Sequence, residues 1–243
     1  MTRAEVIHLY WYYFDDDRVE SPLNFDLLDD VEMAQHAAIK QPARANHFAY
    51  RHGLLRQLLS LHCDLPAKEL VFDIGPNGKP SLAGNSSSIH FNTSQSGNVG
   101  IIAICEIGPL GVDIELSRSI DVAGFAQKIL SPKERISFSS LTAEQQLPAL
   151  FKFWTAKEAL IKALGIGLDL NQLPHITLTD GSDRTGFTEW HAFELTGSLA
   201  ADSPWHLATM SLESGFPQSA IVSIASQRKL PVKIRSAQEL LAG

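Results

Sequence analysis

Two acids stand two residues apart in PLGVDIELSR, residues 109–118. Val112, Ile114 and Leu116 alternate with Gly111, Asp113 and Glu115, which is the period of a strand and sends both carboxylates to one face. At about 4 Å and an effective dielectric near 20, such a pair repels by roughly 4 kcal/mol. The face therefore needs a cation or open water. A second charged stretch, FWTAKEALIKALGIGL at 153–168, supplies candidates: Lys157, Glu158 and Lys162 lie on a helical pattern, with Glu158 and Lys162 at i,i+4 on a shared side. Asp113, Glu115 and Glu158 suit a hard cation such as Mg²⁺, which takes a few carboxylates together with waters and phosphate oxygens. Three carboxylates and one Mg²⁺ leave a net negative charge, so a bound phosphate would require Lys157 and Lys162 nearby. The alternative is a solvated helix side carrying one surface ion pair.

Two polar stretches upstream could serve the same ligand. NGKP at 77–80 holds Lys79 in a tight turn as a placed point charge, although an ordinary hairpin turn also accounts for it. FNTSQSG at 91–97 offers Asn92, Ser94, Gln95 and Ser96 as hydrogen-bonding groups at a strand end, a position suited to phosphate or ribose. Neither stretch is specific alone.

Positioning these groups takes strands and helices that the spacing predicts. Val6 to Phe14 reads as a first strand, and Tyr10 to Tyr13 as strand packing. Leu23, Leu27 and Val31 follow helical spacing, and so does 43–62 with Phe48, Leu54, Leu55, Leu58 and Leu59. KELVFDI reads as a short strand before the Asn-Gly turn. IHFNTSQ and NVGIIAICEI form a strand pair whose second member is apolar throughout, hence central and buried on both faces. Ser131, Pro132 and Glu134 spell a capping box at a helix start. Leu150 to Leu164 is the clearest helix, ended by Gly165. His175 to Ser226 reads as strands. SGNVGIIAI at 96–104 echoes SGFPQSAIVSIAS at 214–226, which divides the chain near residue 108. The expected fold class is α+β: two similar α/β subdomains with pseudo-twofold symmetry, 1–108 and 109–243, each a small antiparallel sheet packed by helices.

Composition narrows the function. With 243 residues, 44% hydrophobic and 19% charged, the chain can bury a real core and is not disordered. A net charge of −7 argues against nonspecific nucleic-acid binding. Cys63 and Cys105 make no CxxC and no disulfide framework. His52, His90 and His175 fit no metal spacing. No run reaches the length of a membrane helix, and the N-terminus lacks the pattern of a targeting signal. A soluble, reducing, cytoplasmic setting is expected, with no nucleic-acid or membrane partner.

Taken together, GVDIE at 111–115 followed by WTAKEALIK at 154–162 resembles the signature pair of the 4′-phosphopantetheinyl transferases, of the WxxKExxxK type. NGKP, FNTSQSG, the helix segment RHGLLRQLLS and SPKE fall in the matching order. The resemblance covers about residues 43 to 226 and points to the long, two-lobed group typified by the surfactin-synthetase activator. It implies transfer of 4′-phosphopantetheine from coenzyme A to a serine hydroxyl of an apo carrier protein, with release of 3′,5′-ADP. It implies Asp113, Glu115 and Glu158 as Mg²⁺ ligands, Lys162 on the CoA phosphates, and Lys157 beside the pantetheine path. It further implies Lys79 and Ser94 near the 3′-phosphate, and Arg51 near the adenosine end. Asp113, Glu158 and Lys162 are then the catalytic set, with Glu158 as the base for the attacking serine. The N-terminal lobe would contact adenosine and 3′-phosphate, and the C-terminal lobe would hold the metal. The chain departs from the family at Gln95, where histidine is usual; glutamine keeps a donor without the charge.

An acidic carrier would need a local basic surface. Lys128, Lys133 and Arg135 beside Phe125, Ile129 and Leu130 provide that composition. Two lobes in one chain can complete the site internally, so a monomer is expected.

Overall fold

A computed structural model describes residues 5–14, 25–63, 65–84, 88–167, 169–178, 193–195, 205–212 and 219–242. Strand β1, Ile7–Tyr13, opens the chain. Helix α1 spans Asp30–Ala38 and starts later than the Leu23, Leu27, Val31 spacing predicts. The cause is a capping box: Asp29 Oδ1 accepts the Glu32 amide at 2.9 Å and Glu32 Oε2 accepts the Asp29 amide at 3.1 Å. Val31 is left exposed, Leu27 closes a separate short 3₁₀ turn, and Leu23 lies outside the described residues. Asp15 to Asp17, which read from sequence as a solvated turn after the first strand, lie outside them too. Helix α2, Pro42–Ser60, buries Leu54, Leu55, Leu58 and Leu59 as expected.

A hairpin of β2, Phe72–Ile74, and β3, Pro80–Leu82, follows. Then come β4, His90–Ser96, β5, Val99–Cys105, and β6, Leu110–Leu116. Helix α3 is Val122–Ile129, and α4 is Pro132–Ser139, begun by the Ser131 capping box. Helix α5 spans Ala143–Leu164, two turns longer at its start than the apolar face suggested, and ends where Gly165 takes a left-handed φ of 67°. Strands β7, Ile176–Leu178, β8, Phe193–Leu195, β9, His206–Leu212, β10, Ala220–Ser226, and β11, Val232–Ser236, lead to α6, Ala237–Ala242.

The architecture is α+β with small, mainly antiparallel sheets. One sheet runs in the order β11-β1-β5-β4, a second in the order β6-β10-β9, and β2-β3 and β7-β8 form two-stranded pieces. β11 joins β1 in parallel, and the Gln238 amide of α6 donates to the Tyr13 carbonyl at 2.8 Å. The segment after residue 231 thus returns across the expected division at 108 to complete the first sheet. Ile7, Leu9, Ile101 and Ala103 on one sheet meet Val112, Ile114, Val222 and Ile224 on the other. The opposite face of the first sheet, with Tyr10, Tyr12, Ile102 and Ile104, packs on α2. Leu160 and Ile161 of α5 share a core with Ala225 of β10, Leu207 of β9 and Trp205 just before it. Helix, sheet, sheet and helix form successive layers, and β5 is buried throughout.

The two sheets also meet along a seam. β4 and β6 are edge strands of different sheets, and the seam is bridged by side chains. Asn92 Oδ1 accepts the Val112 amide at 2.9 Å, Ser94 Oγ the Ile114 amide at 3.4 Å, and Ser96 Oγ the Leu116 amide at 3.1 Å. Alternate residues of β4 thereby satisfy alternate amides of an edge that would otherwise be unpaired. Helix α5 presses on the other face of β6 at Gly111, where a Cβ would stand 2.0 Å from the Ala159 carbonyl oxygen. Only glycine permits that approach, which brings the carboxylates of β6 within reach of the helix side chains.

Candidate functional site

Ser94 and Ser96 accept amides from β6 and donate to its acids: Ser94 Oγ to Asp113 Oδ1 at 2.7 Å, and Ser96 Oγ to Glu115 Oε2 at 2.8 Å. The seam therefore fixes both carboxylates as well as the strand. Above it lies a groove of about 300 Å³ lined by Arg51, Thr93, Ser94, Gln95, Asp113, Ile114, Glu115, Glu158 and Lys162. A second cavity of about 280 Å³, lined among others by Asn77, Lys79, Pro80, Asn92 and Gly165, shares Thr93, Glu158 and Lys162 with it. Residues predicted from five separate stretches line two joined hollows.

Lys162 is the hub. Its ammonium donates to Asp113 Oδ1 at 2.7 Å and Ser94 Oγ at 2.9 Å, and lies 3.9 Å from Glu158 Oε2. Asp113 Oδ2 is buried and without a hydrogen-bond partner. Burial pushes the Asp113 carboxyl above its usual range, with the Lys162 charge opposing. Burial, then the Asp113 charge, pushes Glu158 up to about 8 against the pull of Lys162. An acid raised this way, beside a second acid with a free oxygen, is a site short of positive charge.

Glu115 is placed differently. Trp154 Nε1 donates to its Oε1 at 3.0 Å, and Ser96 and the Arg118 guanidinium hold Oε2. Among the described residues no three Asp, Glu, His or Cys side chains are gathered closely enough to hold a metal ion. The structure thus groups Asp113 and Glu158 around Lys162 and ties Glu115 to the tryptophan of the WTAKEALIK stretch. Asp113 and Glu158, with one oxygen unpartnered, fit a hard divalent cation in donor chemistry.

Lys157 is not in the groove. It is fully buried, and its ammonium donates to Glu134 Oε2 at 2.5 Å, the Ile129 carbonyl at 2.7 Å and the Leu173 carbonyl at 3.0 Å. Burial lowers it to about 8, against the pull of Glu134. Glu134, the capping-box acid, also accepts the Ser131 and Leu178 amides, each at 2.8 Å. The expected pantetheine contact is replaced by an internal ion pair joining α4, α5 and β7.

The ammonium of Lys79, expected near a phosphate, donates to the Leu110 carbonyl at 3.0 Å and the Ala163 carbonyl at 3.1 Å, and burial lowers it to about 8. Arg51 reaches the groove from α2. Gln95 lines it too, donating to the Gly97 carbonyl at 2.8 Å. His52 is satisfied by Glu32 Oε1 at 2.7 Å. The expected docking patch does not present its apolar members: Ile129 and Leu130 are buried, and Phe125 packs on Trp154 with ring centres 4.8 Å apart. Ile136, on the next helix, is the exposed apolar residue beside Lys133 and Arg135.

Trp154 and Arg118 escaped assignment to the site from sequence, and Asn92 and Ser96 were expected to meet a ligand, not the amides and acid of β6. The alternation of Asn92, Ser94 and Ser96, matched to the alternation of Val112, Ile114 and Leu116, is the signal that could have found the seam.

A family model described as the 4′-phosphopantetheinyl transferase superfamily matches residues 109–210. The 4′-phosphopantetheinyl transferase HetI of a Nostoc species is 31% identical over 179 residues, 72% of this chain and 76% of its own length. The 4′-phosphopantetheinyl transferase AcpT of Salmonella typhimurium is 34% identical over 60% of this chain and 70% of its own. A Synechocystis protein is 34% identical over 60% of this chain, but the match spans only 61% of that relative.

Proposed function

Because the chain belongs to the 4′-phosphopantetheinyl transferase superfamily, we propose that it moves 4′-phosphopantetheine from coenzyme A to a serine of an apo carrier protein, releasing 3′,5′-ADP. The carrying observation is the Lys162 ammonium, held between Asp113, Ser94 and Glu158 on the floor of a groove that Arg51 borders. A pyrophosphate repels nucleophiles until its charge is offset, and Lys162 supplies that offset from a fixed position. Arg51 and Gln95 grip the remainder of CoA. The serine oxygen forms a bond to the phosphorus nearer pantetheine, the bond from that phosphorus to the ADP oxygen breaks, and the serine proton passes to Glu158. Glu158 takes it as the carboxylate, the form that a divalent cation at this site would favour by displacing its proton. Asp113 and Glu158 would hold a Mg²⁺ ion, which would polarise the phosphoryl oxygens and neutralise the leaving oxygen. Glu115 would hold Asp113's strand against Trp154 and stand by as a further ligand.

A pseudo-twofold relation between the halves is part of this reading. It is supported by β5 and β10, each wholly buried and each following a Ser-Gly in sequence. So are a monomeric state, since residues 51 to 162 of one chain line the groove, and a reducing cytoplasmic setting, in keeping with Cys63 and Cys105 outside any disulfide. No helix among the described residues is long and apolar enough to cross a membrane.

The test is release of 3′,5′-ADP from CoA with Mg²⁺, comparing an apo carrier with the same carrier bearing Ser→Ala at its acceptor. A transferase releases it only with the intact serine. Release without carrier would make the protein a phosphohydrolase, and CoA binding with no release would make it a binding module. Gln95→His should lower KM for CoA about fivefold, since a cationic donor binds phosphate more tightly than a neutral amide. The gain should grow as pH falls through about 6.5, where histidine charges. A KM that stays put at every pH would remove Gln95 from the CoA site.

A further inference from the structure

Resting on that reading, we infer that Lys79 and Asn77 are positioning residues that clamp the end of α5 onto the strand bearing Asp113, the Lys79 ammonium being spent on main-chain carbonyls and not on a CoA phosphate. The last turn of a helix leaves carbonyls without internal partners. In α5 the Ala163 carbonyl takes Lys79 Nζ at 3.1 Å, and the Gly165 carbonyl just beyond takes Asn77 Nδ2 at 2.9 Å. A cation there also suits the negative end of the helix. The same Lys79 ammonium donates to the Leu110 carbonyl on β6 at 3.0 Å. One point charge thus joins helix and strand. Its helix partner, Ala163, follows Lys162, and its strand partner, Leu110, precedes Gly111.

The place of this bridge gives it its effect. α5 crosses β6 at Gly111 with no room for a Cβ, so small slips of the helix are transmitted to the facing side chains. Lys162 and Glu158 lie on that helix, and Asp113 two residues beyond Gly111. The clamp comes from a hairpin of three-residue strands, which has little stability alone. Gly167 packs on Asn77 as well, where a Cβ would lie 3.5 Å from the asparagine Cβ. The expectation that NGKP grips a phosphate gives way to one in which it grips the helix that does.

Steady-state kinetics on an apo carrier separate the two roles. Lys79→Met should lower kcat by about 30- to 100-fold while KM for CoA stays within about threefold, because misplacing reacting groups by an ångström costs on that scale. Asn77→Ala, which removes only the Gly165 bond, should lower kcat by about threefold to tenfold with the same unchanged KM. A rise of tenfold or more in KM with kcat kept would assign Lys79 to CoA directly and overturn the clamp, as would two unchanged constants. If Lys79→Met does not fold, Asn77→Ala decides by the same split. Amide hydrogen exchange reads the clamp without turnover: in either variant the amides of residues 160–165 should exchange at least about tenfold faster. Unchanged exchange overturns the clamp, whereas a wild-type protein without turnover defeats only the transferase reading.

Discussion

Glu158→Gln should lower kcat for phosphopantetheinyl transfer by about 10³-fold, within the range that a positioned general base contributes, and leave the fold intact. Glutamine copies the neutral form that burial and Asp113 impose on Glu158 up to about pH 8 in the metal-free protein. The variant should therefore melt no lower than the parent near neutrality. The sign of the pH effect follows. The unfolded carboxyl titrates near 4.5 and the folded one near 8, so the folded state holds the extra proton between those values. The group's contribution to stability is full below about 4.5 and is lost as pH rises to about 8. Glu158→Gln should remove that slope from a plot of melting temperature against pH. A divalent cation binding at Asp113 and Glu158 must displace the proton, so its affinity should climb with pH over the same interval. Calorimetric titration of Mg²⁺ at several pH values checks this. Activity within about tenfold of the parent would take Glu158 out of the base role.

Lys157→Met should destabilise the protein by about 3–5 kcal/mol, the usual cost of leaving a buried charge without its partner. Glu134 would keep its amide donors from Ser131 and Leu178 but lose its cation in a site with almost no solvent. The measurement is urea denaturation followed by fluorescence, reading the shift in midpoint at constant slope. KM for CoA should not move in whatever fraction remains folded. A variant of parental stability with a raised KM would restore Lys157 to the pantetheine path. Replacing both partners, Lys157→Met with Glu134→Gln, should recover part of the loss, because no buried charge is then stranded.

The contrast between the two lysines of α5 shows where sequence reading runs out. Glu158 and Lys162 share a helix side at i,i+4, so the paired acids Asp113 and Glu115 of β6 sufficed to point both at the groove. Lys157 is rotated about 100° from Glu158, and spacing alone does not tell which face meets the groove and which the protein interior. Its partner, Glu134, was visible as a capping-box acid, but nothing in a cap pattern says that the capping oxygen will also take a buried ammonium. The apolar patterns of β1, α2, β5 and α5 were legible because each buries a face long enough to show its period. α1 misled because Leu23, Leu27 and Val31 imitate helical spacing across a start that Asp29 and Glu32 fix. β11 was not seen: a five-residue strand with lysine and arginine between its apolar residues carries a weak signal, and its pairing with β1 is set by tertiary contact. The seam was hidden for a like reason. Asn92, Ser94 and Ser96 read as ligand-binding groups at a strand end, and only the meeting of two sheet edges turns them into partners of the β6 amides.

The groove around Asp113, Glu158 and Lys162 should move phosphopantetheine onto a protein serine. Intact-mass spectrometry of apo carrier proteins from fatty-acid, polyketide and nonribosomal-peptide systems, each incubated with this protein, CoA and Mg²⁺, tests it most directly. At least one carrier should gain the mass of one phosphopantetheinyl group at its acceptor serine, and Glu158→Gln should slow that gain by about 10³-fold. No gain on any carrier while CoA still binds, or a gain that Glu158→Gln leaves at the parental rate, would contradict it.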